Sequence, residues 1–208
     1  YVEGGFLGNS GSHFYDVTFT ANANGFAFGN VDGTLKFEGF GRLHGYNVLT
    51  PPVLNNVIFE EGGWIYNAFD YNHLTLTAGK TYTIEQYSSP IGTTQTILPG
   101  GSVTANSGTT CNDFITIKSW SFGTPINFVN NSGSNITVTG VALEYVQASG
   151  TNSLINDYGL DLGGSTGWTY TNACPGLNLY WIGGAGDWDD YAHWSTSSGG
   201  ASCNCLPN

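Results

Sequence analysis

The sequence has no methionine and little charge: Asp, Glu, Lys and Arg together make up 9% of it. Strong bases are scarcest. Lys36, Arg42, Lys80 and Lys118 are the only 4, against 15 acidic residues, which leaves a formal net charge of −11. A phosphate backbone is held by clustered Lys and Arg. Four scattered cations argue against nucleic acid as a partner, and equally against an anionic membrane surface. No apolar run is long enough to cross a bilayer, so membrane insertion is not expected. Helical patterning is missing as well. No window sustains apolar residues at i, i+3, i+4 and i+7, and Gly, Pro, Asn and β-branched residues break every candidate.

What remains is a chain rich in Gly (31 residues) and aromatics (14%). Disordered chains carry more charge and fewer aromatics, so a folded chain is expected. A polar surface built from Ser, Thr, Asn and Gly is common in secreted β-rich proteins. The sequence opens at Tyr1 rather than Met, which points to a processed piece or an excerpt of something longer. Of the four cysteines, Cys203 and Cys205 are too close to pair easily with each other. The preferred bridge joins Cys174 to Cys203 or Cys205 and closes a loop around the segment between them. A C-x-C pair with distant partners fits the paired spacing of a zinc site poorly.

Short alternating segments run through most of the chain, each with one face to bury. They include Tyr15–Thr20, Gly33–Phe40, Asn55–Glu60, Gly62–Phe69, Asn72–Thr77, Thr81–Tyr87, Asp113–Ser119, Pro125–Asn131 and Asn135–Val146. "FYDVTFT", "LNNVIFE", "YNHLTLT" and "CNDFITI" share one plan, an Asn- or Asp-rich pair followed by an alternating strand. Val17/Phe19, Val57/Phe59, Leu74/Leu76 and Ile115/Ile117 would then face one interior. Loose repetition of this kind is the signature of a solenoid. The expected fold is all-β: a right-handed parallel β-helix over 1–171, then a Trp/Gly/Cys-rich module over 172–208 that begins the next repeat. Asn at the turns would hydrogen-bond to the layers above and below. The competitor is an immunoglobulin-type sandwich, for which Asn24-Gly25 and Asp32-Gly33 would be hairpin turns.

The densest motif is "YWIGGAGDWDDYAHWSTSSGG", Tyr180 to Gly200. Aromatic faces stack well on sugars, so it could be a carbohydrate platform. Its small size and many glycines favour a structural mini-core or inter-repeat joint. Asp187, Asp189 and Asp190 are candidate calcium ligands by their oxygen chemistry. They lack EF-hand spacing, and the competing reading is a solvated acidic turn with an Asp capping backbone N–H groups. His193 has no second His or Cys at a helpful spacing, and is expected as a hydrogen-bonded ring wedged between Trp188 and Trp194. Catalysis finds little support. Glu60, Glu61 and Asp70 follow strands, but neither Arg42 nor Lys118 sits beside an acidic cluster, and no G-x-S-x-G, P-loop or H-E-x-x-H motif occurs. Asn130 and Asn135 are formal glycosylation acceptors.

Together "DLGGSTGWTYT" and the Trp-rich string resemble a pattern in very large repetitive cell-surface proteins of the Bacteroidota, among them gliding-motility adhesins exported by type IX secretion. The positions that carry the resemblance are Trp181, Gly183, Gly184, Gly186, Trp188, Asp190, His193, Trp194, Ser195, Ser198, Gly199 and Gly200. The two strings, from Asp161 to Gly200, span about a fifth of the chain. The resemblance implies a secreted or cell-surface location and a structural or adhesive role. Its partners would be neighbouring repeats or identical subunits, and surface glycans. It implies no catalytic residues and no cofactor beyond the candidate calcium. A polysaccharide-active β-helix enzyme and a self-assembling fibre subunit are the alternatives.

Overall fold

The computed structural model describes residues 6–7, 13–20, 22–27, 30–45, 50–87, 92–111, 113–172, 179–188, 190–195 and 197–202. In chain order its strands are β1 (Phe6–Leu7), β2 (His13–Phe14), β3 (Val17–Phe19), β4 (Ala23–Ala27), β5 (Asn30–Phe37), β6 (Gly41–His44) and β7 (Val53–Phe59). There follow β8 (Gly63–Tyr66), β9 (Phe69–Leu76), β10 (Thr81–Glu85), β11 (Gln95–Ala105), β12 (Ile115–Ser119), β13 (Ile126–Asn130) and β14 (Ile136–Thr139). The last are β15 (Val141–Glu144), β16 (Val146–Gly150), β17 (Leu154–Asp157), β18 (Leu160–Gly163), β19 (Thr169–Thr171), β20 (Tyr180–Trp181) and β21 (Trp194–Ser195). The one helical piece among the described residues is a 3-10 turn at Tyr191–His193.

The protein is all-β and built on long parallel sheets. The first sheet has the order β1-β4-β6-β8-β10-β12-β15-β18; the second runs β16-β13-β11-β9-β7-β5-β2, with β3 also on β5. A smaller parallel sheet orders β14-β17-β19, and β20 with β21 is antiparallel. From β4 to β13 the chain passes alternately between the first and second sheets. Each circuit adds one parallel strand to both, an arrangement compatible with a β-helix. It is not the hairpin-linked sandwich: Asn24-Gly25 and Asp32-Gly33 lie inside β4 and β5, both paired in parallel. Gly33 serves a close approach instead, since a methyl there would strike the Tyr15 carbonyl.

The interior is set by side-chain size. Phe19, Phe37 and Phe59 occupy one register line of the second sheet. Their rings stack at 5.1 and 4.7 Å, each pair 9° from parallel, and all three are fully buried. The first sheet answers with Gly41 and Gly63, also register partners. A methyl on Gly41 would lie 2.6 Å from the Phe37 ring, and one on Gly63 would strike the Gly41 carbonyl at 2.5 Å and reach the Phe59 ring at 3.1 Å. One step on, the arrangement reverses. Leu76 follows Phe59 in the second sheet, and Tyr82 follows Gly63 in the first. The Tyr82 ring meets Phe59 edge-on, with centroids 5.8 Å apart. Its hydroxyl donates to the Phe59 carbonyl at 3.2 Å and accepts from the Thr77 N–H at 2.7 Å. Later in the chain, Trp168 packs against Phe128 and donates Nε1–H to the Val146 carbonyl at 3.2 Å.

The corners carry the expected polar ladders. Asn67, fully buried at φ 72°, donates to the Gly45 carbonyl at 2.8 Å and accepts from the Tyr87 N–H at 2.7 Å. One side chain therefore ties three successive layers. The Gln95 amide donates to the Asn67 carbonyl at 2.7 Å and accepts from the buried Tyr71 hydroxyl at 2.7 Å, so the network is satisfied. Asn130 is likewise fully buried, donating to the carbonyls of Ser134 and Ser153. It is thus no accessible glycosylation acceptor, whereas Asn135 lies at the surface.

The structure corrects one expected strand and adds another. The single strand expected over Asn135–Val146 is three strands, broken where Gly140 (φ 65°) and Tyr145 (φ 53°) turn the chain. The 11-residue β11 is not among the segments expected from alternation; it absorbs Pro99-Gly100-Gly101 in a register shift between Ile97 and Ser102. Ile115 and Ile117 face the common core as expected, and do so from the first sheet.

Replacing Asn67 with Gly keeps the positive φ free of strain while removing both ladder bonds. It strands the Gly45 carbonyl and the Tyr87 N–H, and a loss of about 1–3 kcal/mol is expected. Urea denaturation should show a clearly lower midpoint for Asn67→Gly, and an unchanged midpoint would contradict the ladder's role.

Candidate functional site

The Trp-rich segment forms a self-contained mini-core. The β20–β21 pair sets Trp181 beside Trp194. Trp194 is buried and meets Trp181 and Trp188 edge-on, at 5.1 and 4.5 Å. Its Nε1–H donates to the Trp188 carbonyl at 3.0 Å, and that of Trp181 to the Gly184 carbonyl at 3.0 Å. Ser195 is buried, and its hydroxyl accepts from the Ser197 N–H at 3.2 Å. His193 does not sit between Trp188 and Trp194. It stacks on Trp181, with centroids 4.7 Å apart and planes 7° from parallel. The alternating pair Trp181/His193 spans the hairpin, which linear spacing does not reveal. Nδ1 of His193 lies 2.9 Å from the Ile182 carbonyl and so carries the hydrogen. Gly183 and Gly186 leave room for this ring: a methyl on Gly186 would lie 2.6 Å from Nε2.

Asp190 caps the 3-10 turn, accepting from the Ala192 N–H at 3.0 Å, and its other oxygen is 3.4 Å from His193 Nε2. This is the capping role that competed with calcium ligation. Asp187 contributes its backbone carbonyl to the Asp190 N–H. Asp189 lies outside the described residues, as do Cys174, Cys203 and Cys205. Among the described residues no three His, Cys, Asp or Glu come together as a metal site. Cys111, to which the sequence assigned no partner, is disulfide-bonded.

A second aromatic cluster, on the outer face of the first sheet, escapes sequence reading. Alternation in β6, β8 and β10 sends Leu43, Ile65 and Ile84 into the core, and Arg42, His44, Trp64, Tyr66, Thr83 and Glu85 outward. Register places Arg42, Trp64, Thr83 and Lys118 in one row, and His44, Tyr66 and Glu85 in the next. His44 stacks on Tyr66, centroids 4.1 Å apart and planes 9° from parallel. Tyr87 meets Tyr66 edge-on at 5.8 Å, and Trp64 tilts against Tyr66 at 5.6 Å. Trp64 also reaches Trp120 at 4.6 Å, across the strand that carries Thr83. Thr83, in register between Trp64 and Lys118, is only 4% exposed. Trp120 itself is 56% exposed and Tyr87 48%. The available signal was the outward half of "GWIY", where polar residues were expected and aromatics stand.

The rings also set the electrostatics of this face. Burial pushes the His44 imidazole down to about 4, and the Arg42 charge adds to the effect. Burial raises Tyr66, with the Glu85 charge second, and burial raises Glu85 too. Elsewhere, Glu60 and Glu61 are engaged by Lys36 and Lys80 at 2.9 and 2.5 Å. Comparison of the chain with family models, with curated proteins and with solved structures found no match.

The His44 shift sets a pH dependence. Its folded value of about 4 lies below the ordinary 6.5, so the unfolded chain binds the proton more readily. The contribution is intact above pH 6.5 and is lost progressively as pH falls toward 4. Urea midpoints at pH 7 and pH 5 should therefore differ more for the wild type than for His44→Gln. Equal differences would remove His44 as the cause.

Proposed function

We propose that this chain is a structural and adhesive segment of a large secreted or cell-surface repeat protein, of the gliding-adhesin kind its C-terminal motif resembles. In this reading the parallel sheets are a right-handed parallel β-helix that extends and stiffens the parent molecule. The Trp mini-core is the joint to the next repeat, and the outer face attaches to glycans or solid substrata. The observation that carries the reading is the aromatic outer face of the first sheet. A scaffold with no attachment role has no use for solvent-facing Trp and Tyr rings at strand positions that are ordinarily polar. The scarcity of strong bases fits an uncharged target surface. The alternating passage between sheets supports the solenoid geometry, and Trp168 supplies the capping contact that such a core needs at its end.

Purified protein, washed over glycan-coated and plain apolar beads, should be retained on at least one of them above a serum-albumin control, at physiological salt. Retention no greater than the control on both surfaces would sink the attachment role.

A further inference from the structure

Resting on the attachment reading, we infer that the outer face of the first sheet, centred on His44, Trp64, Tyr66, Tyr87 and Trp120, is a binding site for neutral, β-linked, gluco-configured glycan chains, whose equatorial linkages keep successive ring faces in one plane. Three observations point to that chemistry. First, the large hydrophobic residues turned outward on this face are aromatic: Trp64, Tyr66, Tyr87 and Trp120, of which Tyr87 and Trp120 are exposed. A face built for general apolar docking draws on Leu, Ile and Val as well. Ring faces alone suit a partner that presents flat C–H surfaces. Second, each of the five central rings carries an N–H, O–H or ring nitrogen at its edge, so every apolar face has a polar rim. A pyranose with equatorial hydroxyls has the matching shape: axial C–H groups on its two faces and hydroxyls around its edge.

Third, the charges on this face balance. Arg42 lies in the row beside Glu85's, and Lys118 is in register with Glu144. His44 is uncharged at neutral pH because burial holds its value near 4. A balanced face on a chain of net charge −11 repels a polyanion. The rings span β6, β8 and β10 and the end of β12, a breadth suited to several linked sugar units rather than one.

The test titrates the full chain with three neutral hexasaccharides and one polyanion, following tryptophan fluorescence and calorimetric heat. The probes are β-1,4-linked glucose, β-1,4-linked N-acetylglucosamine, α-1,4-linked glucose and alginate. Saturable binding of at least one β-linked hexasaccharide, tighter than the α-linked chain or alginate, is expected. Trp120→Ala should weaken it at least about fivefold, a single stacking contact's worth. Trp188→Ala, in the separate mini-core, should leave it within about twofold. Because Trp120 is 56% exposed, its replacement should leave the far-ultraviolet spectrum unchanged, and Tyr87→Ala provides a second surface variant. No binding of either β-linked chain, preference for alginate, or loss only on Trp188→Ala would overturn the site. Retention on apolar beads without glycan binding would reject this inference and leave the attachment reading standing. Loss of both would reject both.

Discussion

Two parallel sheets can enclose one core only if their inner faces are complementary in volume at every layer. Here the constraint falls on Phe19, Phe37 and Phe59, whose stacked rings take up more depth than an ordinary pair of facing side chains allows. Gly41 and Gly63 give back that depth from the opposite sheet. When the bulk changes sides, with Leu76 following Phe59, Tyr82 arrives to fill the space. Interiors pack at crystal-like density, so neither partner can change alone. Backbone pairing sets the spacing of the layers, and this match sets which residues can stand in each layer.

The outer face follows from the inner one. Period-2 alternation means that fixing Leu43, Ile65 and Ile84 inward sends His44, Trp64, Tyr66 and Glu85 outward, and a one-residue slip would bury Glu85 and Arg42. Parallel in-register stacking then brings residues from separate circuits together on one surface. His44 and Tyr66 become stacked neighbours although they lie on different strands. The outer aromatic face is thus a by-product of a core register held by ring size, which explains how a surface of solvent-facing aromatics keeps a fixed shape.

Much of this was legible in the sequence, and the limits have physical causes. Alternation in Val57/Phe59 and Leu74/Leu76 announced inward positions, and Asn-rich corners announced ladders such as that of Asn67. Alternation does not say which sheet a strand joins, so Ile115/Ile117 shared the pattern but not the sheet. Gly33 resembled a turn because the residue type is the same for a turn and for a close backbone approach. At the mini-core, composition announced a structural knot, while the Trp181–His193 stack depended on a hairpin register that spacing alone does not encode. The outer aromatic face was hidden for the opposite reason. Its members lie far apart in sequence, and only parallel stacking assembles them.

The central claim is that ring size in one sheet and glycine in the other are a single coupled choice. A double-mutant cycle on Gly41→Ala and Phe37→Ala, read by urea denaturation, tests it most directly. The account predicts that Gly41→Ala costs about 1–3 kcal/mol in the wild type and much less once the Phe37 ring is gone, a coupling well above about 0.5 kcal/mol. Additive costs, with the methyl at position 41 equally unfavourable in both backgrounds, would contradict it.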